Sequence, residues 1–194
     1  KPHNLESFLF VKTRYSSFGS RIKSTASISV LSSAGAVDET NAIIGLARVF
    51  IGQSKSRQQL ILLEERLEAI QHALFDVGAD LATPPDPSST RPALRIGEGE
   101  ATLLETWIDE MNEQLPPLRE FVLPGGGPVS GFLHQARTVC RRGERTVVSL
   151  LREEPATNDA CLVYLNRLSD FLFVGARYAG KIAQEPEFLW TRKR

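Results

Sequence analysis

The chain has 194 residues, the size of one ordinary domain. Its 23 Lys and Arg balance 23 Asp and Glu, which leaves no net positive field for a polyanion such as a nucleic acid. Hydrophobic residues make up 42%, enough for a real core, yet no apolar run approaches the ~20 residues of a membrane span, and KPHNLESFLFVKTR has no signal-peptide layout.

Residues 1–33 are Ser-rich with no sustained period and read as an arm. From Ala34 onward Val37, Ile43, Ile44, Ala47 and Phe50 take helical spacing, and Gly52 ends that first helix. RQQLILLEERLEAIQHALFDVGADLA then sets Leu60, Leu63, Leu67, Ile70, Leu74 and Val77 on one stripe. It stops at TPPDPSSTRP, where Pro84, Pro85 and Pro87 remove backbone donors and disfavour helix in each preceding residue. A third helix spans about Glu98 to Leu115, with Leu103, Leu104, Trp107, Ile108 and Met111 inward and Pro116 and Pro117 at its end. FVLPGGGPVSG follows, its glycines Gly125 to Gly127 permitting a sharp turn or the close approach of a ligand.

The fourth helix runs from about Val129 to Arg152, and NDACLVYLNRLSDFLFVGARYAGK supplies a fifth, capped by Asn158 or Asp159. No strand pattern competes. Five helices with mostly short connections predict an all-α, up-and-down bundle over 34–183, with 184–194 as a tail. Cys140 and Cys161 lie on apolar helical faces without metal-site spacing and read as small hydrophobes. His3, His72 and His134 show no ligand spacing either and read as structural or exposed.

The charges of the last two helices are harder to place. At about 100° per residue, Gln135, Thr138, Arg142, Arg145 and Ser149 share a solvated face. Arg137, Arg141 and Glu144 instead form a row within or beside the apolar sector. Asn166, Asp170 and Arg177 form a second such row, beside Phe173. Buried charge requires a partner. Either the rows satisfy one another, or three arginines against two acids leave positive charge for an anionic ligand such as a polyphosphate.

FVLPGGG, QARTVCRRGERTVV and LNRLSDFLFVGARYA in that order, with AGAVDETNAIIGLAR upstream and ALFDVGADLAT between, resemble the PduO-type ATP:cob(I)alamin adenosyltransferases over about residues 34 to 183. The resemblance implies a ferritin-like five-helix bundle assembled as a homotrimer, with active sites between subunits. ATP, Mg2+ and cobalamin are the implied ligands, and adenosylcobalamin and triphosphate the products. A flavoprotein reductase and an adenosylcobalamin-dependent acceptor enzyme are the implied partners, in a bacterial cytoplasm or a mitochondrial matrix.

The resemblance also assigns residues. Arg141 matches the arginine on the ATP phosphates, and Glu144 and Asn166 match polar groups of the same nucleotide site. Asp170 matches an aspartate supporting that site. Phe121 matches the aromatic that displaces the lower axial ligand of cobalt, and Phe173 is its expected companion at the corrinoid. Arg137 is expected to bridge to Asp38 of a neighbouring subunit. Lys12, Thr13 and Arg14 match the start of the family's amino-terminal phosphate loop, and Lys23 falls in the segment after it. The Thr-Gly-Asp-x-Gly core of that loop is absent from KTRYSSFGSRIKS, and Ala34 stands where the family has a tyrosine. The missing core motivates an alternative reading: a degenerate trimer that binds or delivers cobalamin without adenosylating it.

Overall fold

A computed structural model describes residues 25–83 and 93–191, which form five helices and no extended strand: α1 (Thr25–Gln53), α2 (Ile61–Leu81), α3 (Glu98–Asn112), α4 (Pro128–Glu153) and α5 (Ala160–Ile182). The expected Pro-rich loop at 84–92 and the phosphate-loop residues Lys12, Thr13, Arg14 and Lys23 lie outside the described residues. Helix α4 packs most extensively, on α1 on one side and α5 on the other, while α3 lies on α5 and α2 on α1. No helix among the described residues is long and apolar enough to cross a membrane.

Helix α1 begins at Thr25, within the stretch the sequence suggested was an arm. Its inward positions explain why. Ser33, Ala36, Val37, Thr40, Asn41 and Ile44 are buried at helical spacing, so small or polar residues outnumber the large apolar ones along the stripe and dilute the apolar period. Small residues serve the packing here: a Cβ placed on Gly143 of α4 would sit 3.3 Å from the Ala36 Cβ, so α1 and α4 approach closely through this pair. Thr40 satisfies its hydroxyl by donating back to the Ala36 carbonyl at 2.8 Å. Across the other face, Arg48 donates to Glu64 and to Gln71, while Asn41 and Gln71 exchange side-chain to backbone hydrogen bonds with α2.

The α2 stripe from Leu60 to Val77 is buried as its period requires. In α3 the stripe is narrower than expected: Ala101, Leu104 and Met111 are buried, whereas Leu103 is outward. Adjacent helical residues point about 100° apart, and α3 has α5 as its main neighbour, so only one of the two leucines can face in. Asp80, buried at the end of α2, accepts from Arg95, from the Ile96 amide at 2.9 Å and from Asn158 at 2.7 Å. One carboxylate thereby ties together α2, the lead-in to α3 and the α4–α5 turn. Asn158 also accepts from the Ala160 amide and so caps α5.

Gly125 and Gly126 take positive φ of 158° and 99°, which turns the chain into Gly127 and the N1 proline Pro128 of α4. After α5 the chain reverses at Gln184, a non-glycine at φ 55°, and the tail pairs back on the loop before α4 through an isolated antiparallel bridge, Val122 to Leu189.

Candidate active site

Helices α4 and α5 run antiparallel in a register that sets Glu144 against Asn166 and, two turns away, Arg137 against Phe173. Where this seam meets the loop at 118–122 and the tail, a cleft of about 560 Å3 opens. Arg119, Phe121, Arg137, Arg141, Asp170 and Phe173 all line it. The structure thus brings together the two aromatics expected at the corrinoid and three of the charged groups singled out from sequence.

The polar rows do not neutralise one another in the way their helical angles suggested. Arg177 is withdrawn from the row: its side chain is 4% exposed and pairs with Glu187 of the tail at 2.7 Å. The cation that joins the second row is Arg167, whose helical angle gave no sign of it. Its guanidinium donates to Asp170 at 2.9 Å and to the side-chain Oδ1 of Asn166 at 2.9 Å, and it lies 3.5 Å from Glu105 of α3. Asn166 in turn donates to Glu144 at 2.8 Å. Glu144, Asn166, Arg167 and Asp170 therefore form one continuous chain in which each acid already has a donor.

That chain leaves the α4 arginines under-neutralised. Arg141 is half exposed, with Glu144 no closer than 3.8 Å. Arg137 has no ion-pair partner among the described residues; its guanidinium lies 5.6 Å from the Phe173 ring centroid, and its buried Nε lacks a hydrogen-bond acceptor. A buried donor without an acceptor is costly. Asp38, its expected partner, is exposed on α1 and makes no ion pair with Arg137 within the chain. The surplus positive charge expected for an anionic ligand is present, but it resides in Arg137, Arg141 and the loop residue Arg119 rather than in Arg177.

Phe121 is 79% exposed, with its ring edge-on to Trp190 at 6.4 Å. It does not plug the bundle end. Trp190 and Arg119 were not singled out from sequence, although the apolar run Phe188, Leu189, Trp190 following Pro186 was a visible sign that the tail docks.

His134 is buried one turn before Arg137, edge-on to Phe173 at 6.0 Å, and lines a smaller cavity of about 240 Å3 beneath the tail. Burial holds its imidazole below the ordinary 6.5, with Arg137 adding to the effect and Glu187 opposing it. The folded protein therefore binds fewer protons there than the unfolded chain, and stability is lost as pH falls below about 6.5. Replacing His134 with Gln is expected to flatten the stability curve on the acid side, by at most the linkage of one proton, ~1.4 kcal/mol per pH unit. Denaturant titrations of both proteins from neutral to mildly acidic pH test this, and parallel curves would refute it. The cysteines are inert: burial raises both thiols, Cys161 to about 12 with Asp80 adding to the shift.

The profile of the family described as cobalamin adenosyltransferase matches residues 12–179. The chain is 42% identical over 154 residues to a corrinoid adenosyltransferase of Mycobacterium tuberculosis, covering 79% of this chain and 75% of that protein. It is also 42% identical over 154 residues to human corrinoid adenosyltransferase MMAB, covering 77% and 58%. Among solved structures it resembles a variant PduO-type ATP:corrinoid adenosyltransferase from Lactobacillus reuteri complexed with cobalamin and ATP, with a TM-score of 0.75, 38% identity, and coverage of 84% of this chain and 83% of that one. A further variant from the same organism, complexed with ATP, gives a TM-score of 0.74 at 38% identity over 84% and 87% of the two chains.

Proposed function

The chain belongs to the cobalamin adenosyltransferase family, and from that premise we propose how its cleft is used. The protein transfers the 5′-deoxyadenosyl group of ATP to the cobalt of cob(I)alamin, giving adenosylcobalamin and triphosphate. The cobalt(I) electron pair attacks C5′, a cobalt–carbon bond forms, the C5′–O bond breaks, and triphosphate leaves with that bonding pair. Because the nucleophile belongs to the corrinoid, the protein contributes orientation and charge.

The observation that carries this reading is the sharing of one cleft by an under-neutralised arginine, Arg141, and an exposed aromatic ring, Phe121. Phosphate suits the first wall and a flat apolar macrocycle the second. Arg141 receives the ATP phosphates. Glu144 and Asn166, already fixed on each other, present polar groups to the nucleotide, and Asp170 supports them through Arg167. Lys12, Thr13, Arg14 and Lys23 are assigned to the ATP phosphates by their match to the start of the family's phosphate loop and the segment after it. Mg2+, which usually binds through substrate phosphates and water with few protein ligands, accompanies the ATP. Phe121 and Phe173 face the corrinoid, and Phe121 excludes the lower axial ligand.

Exposed Asp38 and the unpaired Arg137 support a homotrimer in which the two meet across the interface, placing the cleft between subunits. A flavoprotein reductase supplies cobalt(I), and an adenosylcobalamin-dependent enzyme takes the product, in a bacterial cytoplasm or a mitochondrial matrix. Turnover of MgATP with chemically reduced cobalamin, followed by absorbance, tests the reaction. Tight cobalamin binding without product would establish the degenerate alternative that the missing Thr-Gly-Asp-x-Gly core favours. A monomer at micromolar concentration in sedimentation would refute the trimer.

A further inference from the structure

The carboxy-terminal tail is anchored with more care than a chain end needs. Its reversal is a Schellman turn: the Gln184 amide donates to the Lys181 carbonyl at 3.1 Å and the Glu185 amide to the Gly180 carbonyl at 2.8 Å. The Glu185 carboxylate then lies against Gly127 at the start of α4, where any Cβ would collide with it. Beyond it the tail pairs with the loop, the Leu123 amide donating to the Phe188 carbonyl at 2.8 Å and the Trp190 amide to the Phe121 carbonyl at 2.7 Å.

Arg177 joins these parts. Rooted in α5 and almost fully buried, its guanidinium donates through Nε to Glu187 at 2.7 Å and through a terminal nitrogen to the Pro116 carbonyl at 3.0 Å. Glu187 belongs to the tail segment, and Pro116 begins the segment that leads to Phe121. One side chain therefore grips both segments that meet at the Phe121 backbone. A buried guanidinium tolerates no loose partner, since losing its carboxylate leaves an uncompensated charge. The planar fork aims separate nitrogens at the two partners in a fixed geometry, which the rotatable donors of an ammonium do not impose.

We propose that Arg177 is a positioning residue for the reaction: by locking the tail and the 116–123 loop to α5, it fixes where the ring of Phe121 stands in the cleft. The ring makes almost no core contacts of its own, being mostly exposed, so its placement depends on the backbone beneath it and on Trp190 beside it. This inference rests on the adenosyltransferase reading and on the role given there to Phe121.

The test uses Glu187→Gln in the full chain, which removes the charge of the tail carboxylate yet leaves an amide oxygen to accept from the buried Arg177 guanidinium. Hydrogen exchange of the Leu123 and Trp190 amides is expected to quicken about tenfold while helix amides hold, as for the loss of one charge-assisted contact. Adenosylation starting from cob(II)alamin is expected to fall by about the same factor, with the KM for ATP unchanged and a smaller loss when cob(I)alamin is supplied already reduced. Arg177→Lys, which keeps the charge but not the fork, should give an intermediate result in both measurements. Unchanged exchange at Leu123 and Trp190 would overturn the proposal, and so would faster exchange with full turnover from cob(II)alamin. If the wild-type protein failed to turn over pre-reduced cobalamin, the adenosyltransferase reading would fall, and exchange alone would still decide whether the lock exists.

Discussion

Phe121→Ala is expected to bind cob(II)alamin yet leave it with its lower axial ligand, and so to lose most adenosylation that begins from cob(II)alamin. In the role proposed for it the ring is a wedge: apolar surface would fill the volume of the lower ligand, whereas alanine would leave room for that ligand or a water to return. Covering a phenylalanine face is worth about 2–3 kcal/mol, so the loss should be roughly a hundredfold. The fold should not suffer, because the ring is mostly exposed and touches Trp190 rather than the core. The defect is therefore electronic. It should appear with a mild reductant and shrink when cob(I)alamin is supplied, because free cobalt(I) needs no help to shed a lower ligand. Electron paramagnetic resonance of the MgATP-bound protein distinguishes the coordination states directly. A full four-coordinate signal in the alanine variant would remove Phe121 from this role.

The helices were legible where burial and apolar character coincide. Along α2 every stripe leucine is buried, and on α4 the face carrying Gln135, Thr138, Arg142, Arg145 and Ser149 is exposed as its angles require. Legibility failed where packing uses small polar residues. Ser33 is fully buried in α1, and a hydrophobicity pattern cannot distinguish it from part of a Ser-rich arm. Leu103 failed for a different reason, since the width of a buried stripe depends on how many neighbours a helix has.

In the site, helical angles alone put Arg137, Arg141 and Glu144 in one row and Asn166 and Asp170 in another; that the two rows meet is set by the packing of α4 on α5. Which acid meets which base did not follow from those angles. Arginine reaches across a turn, so Arg167 enters the cluster from a position its backbone angle assigns elsewhere, and Arg177 leaves it for Glu187 on a tail whose docking no periodicity encodes. The pairing of long side chains is settled by tertiary geometry, and that geometry decides which arginines remain available to a ligand.

Arg141→Ala is expected to raise the apparent constant for ATP by about ten- to a hundredfold while moving that for cobalamin little, the range for losing a charge-assisted hydrogen bond to phosphate. The structure separates this from a stability effect. Arg141 is 48% exposed and its only acid, Glu144, is 3.8 Å away, a surface pair worth at most ~1 kcal/mol. Glu144 also keeps its bond from Asn166 at 2.8 Å after the change, so no buried carboxylate is orphaned. The melting temperature should therefore stay within a few degrees of wild type. Arg141→Lys should fall between the two, since an ammonium supplies the charge but not the bidentate fork that fits phosphate. Circular dichroism melting beside steady-state kinetics in both substrates decides the matter. Equal losses for ATP and cobalamin with a lowered melting temperature would mark general destabilisation, and unmoved constants would reduce Arg141 to the weak partner of Glu144.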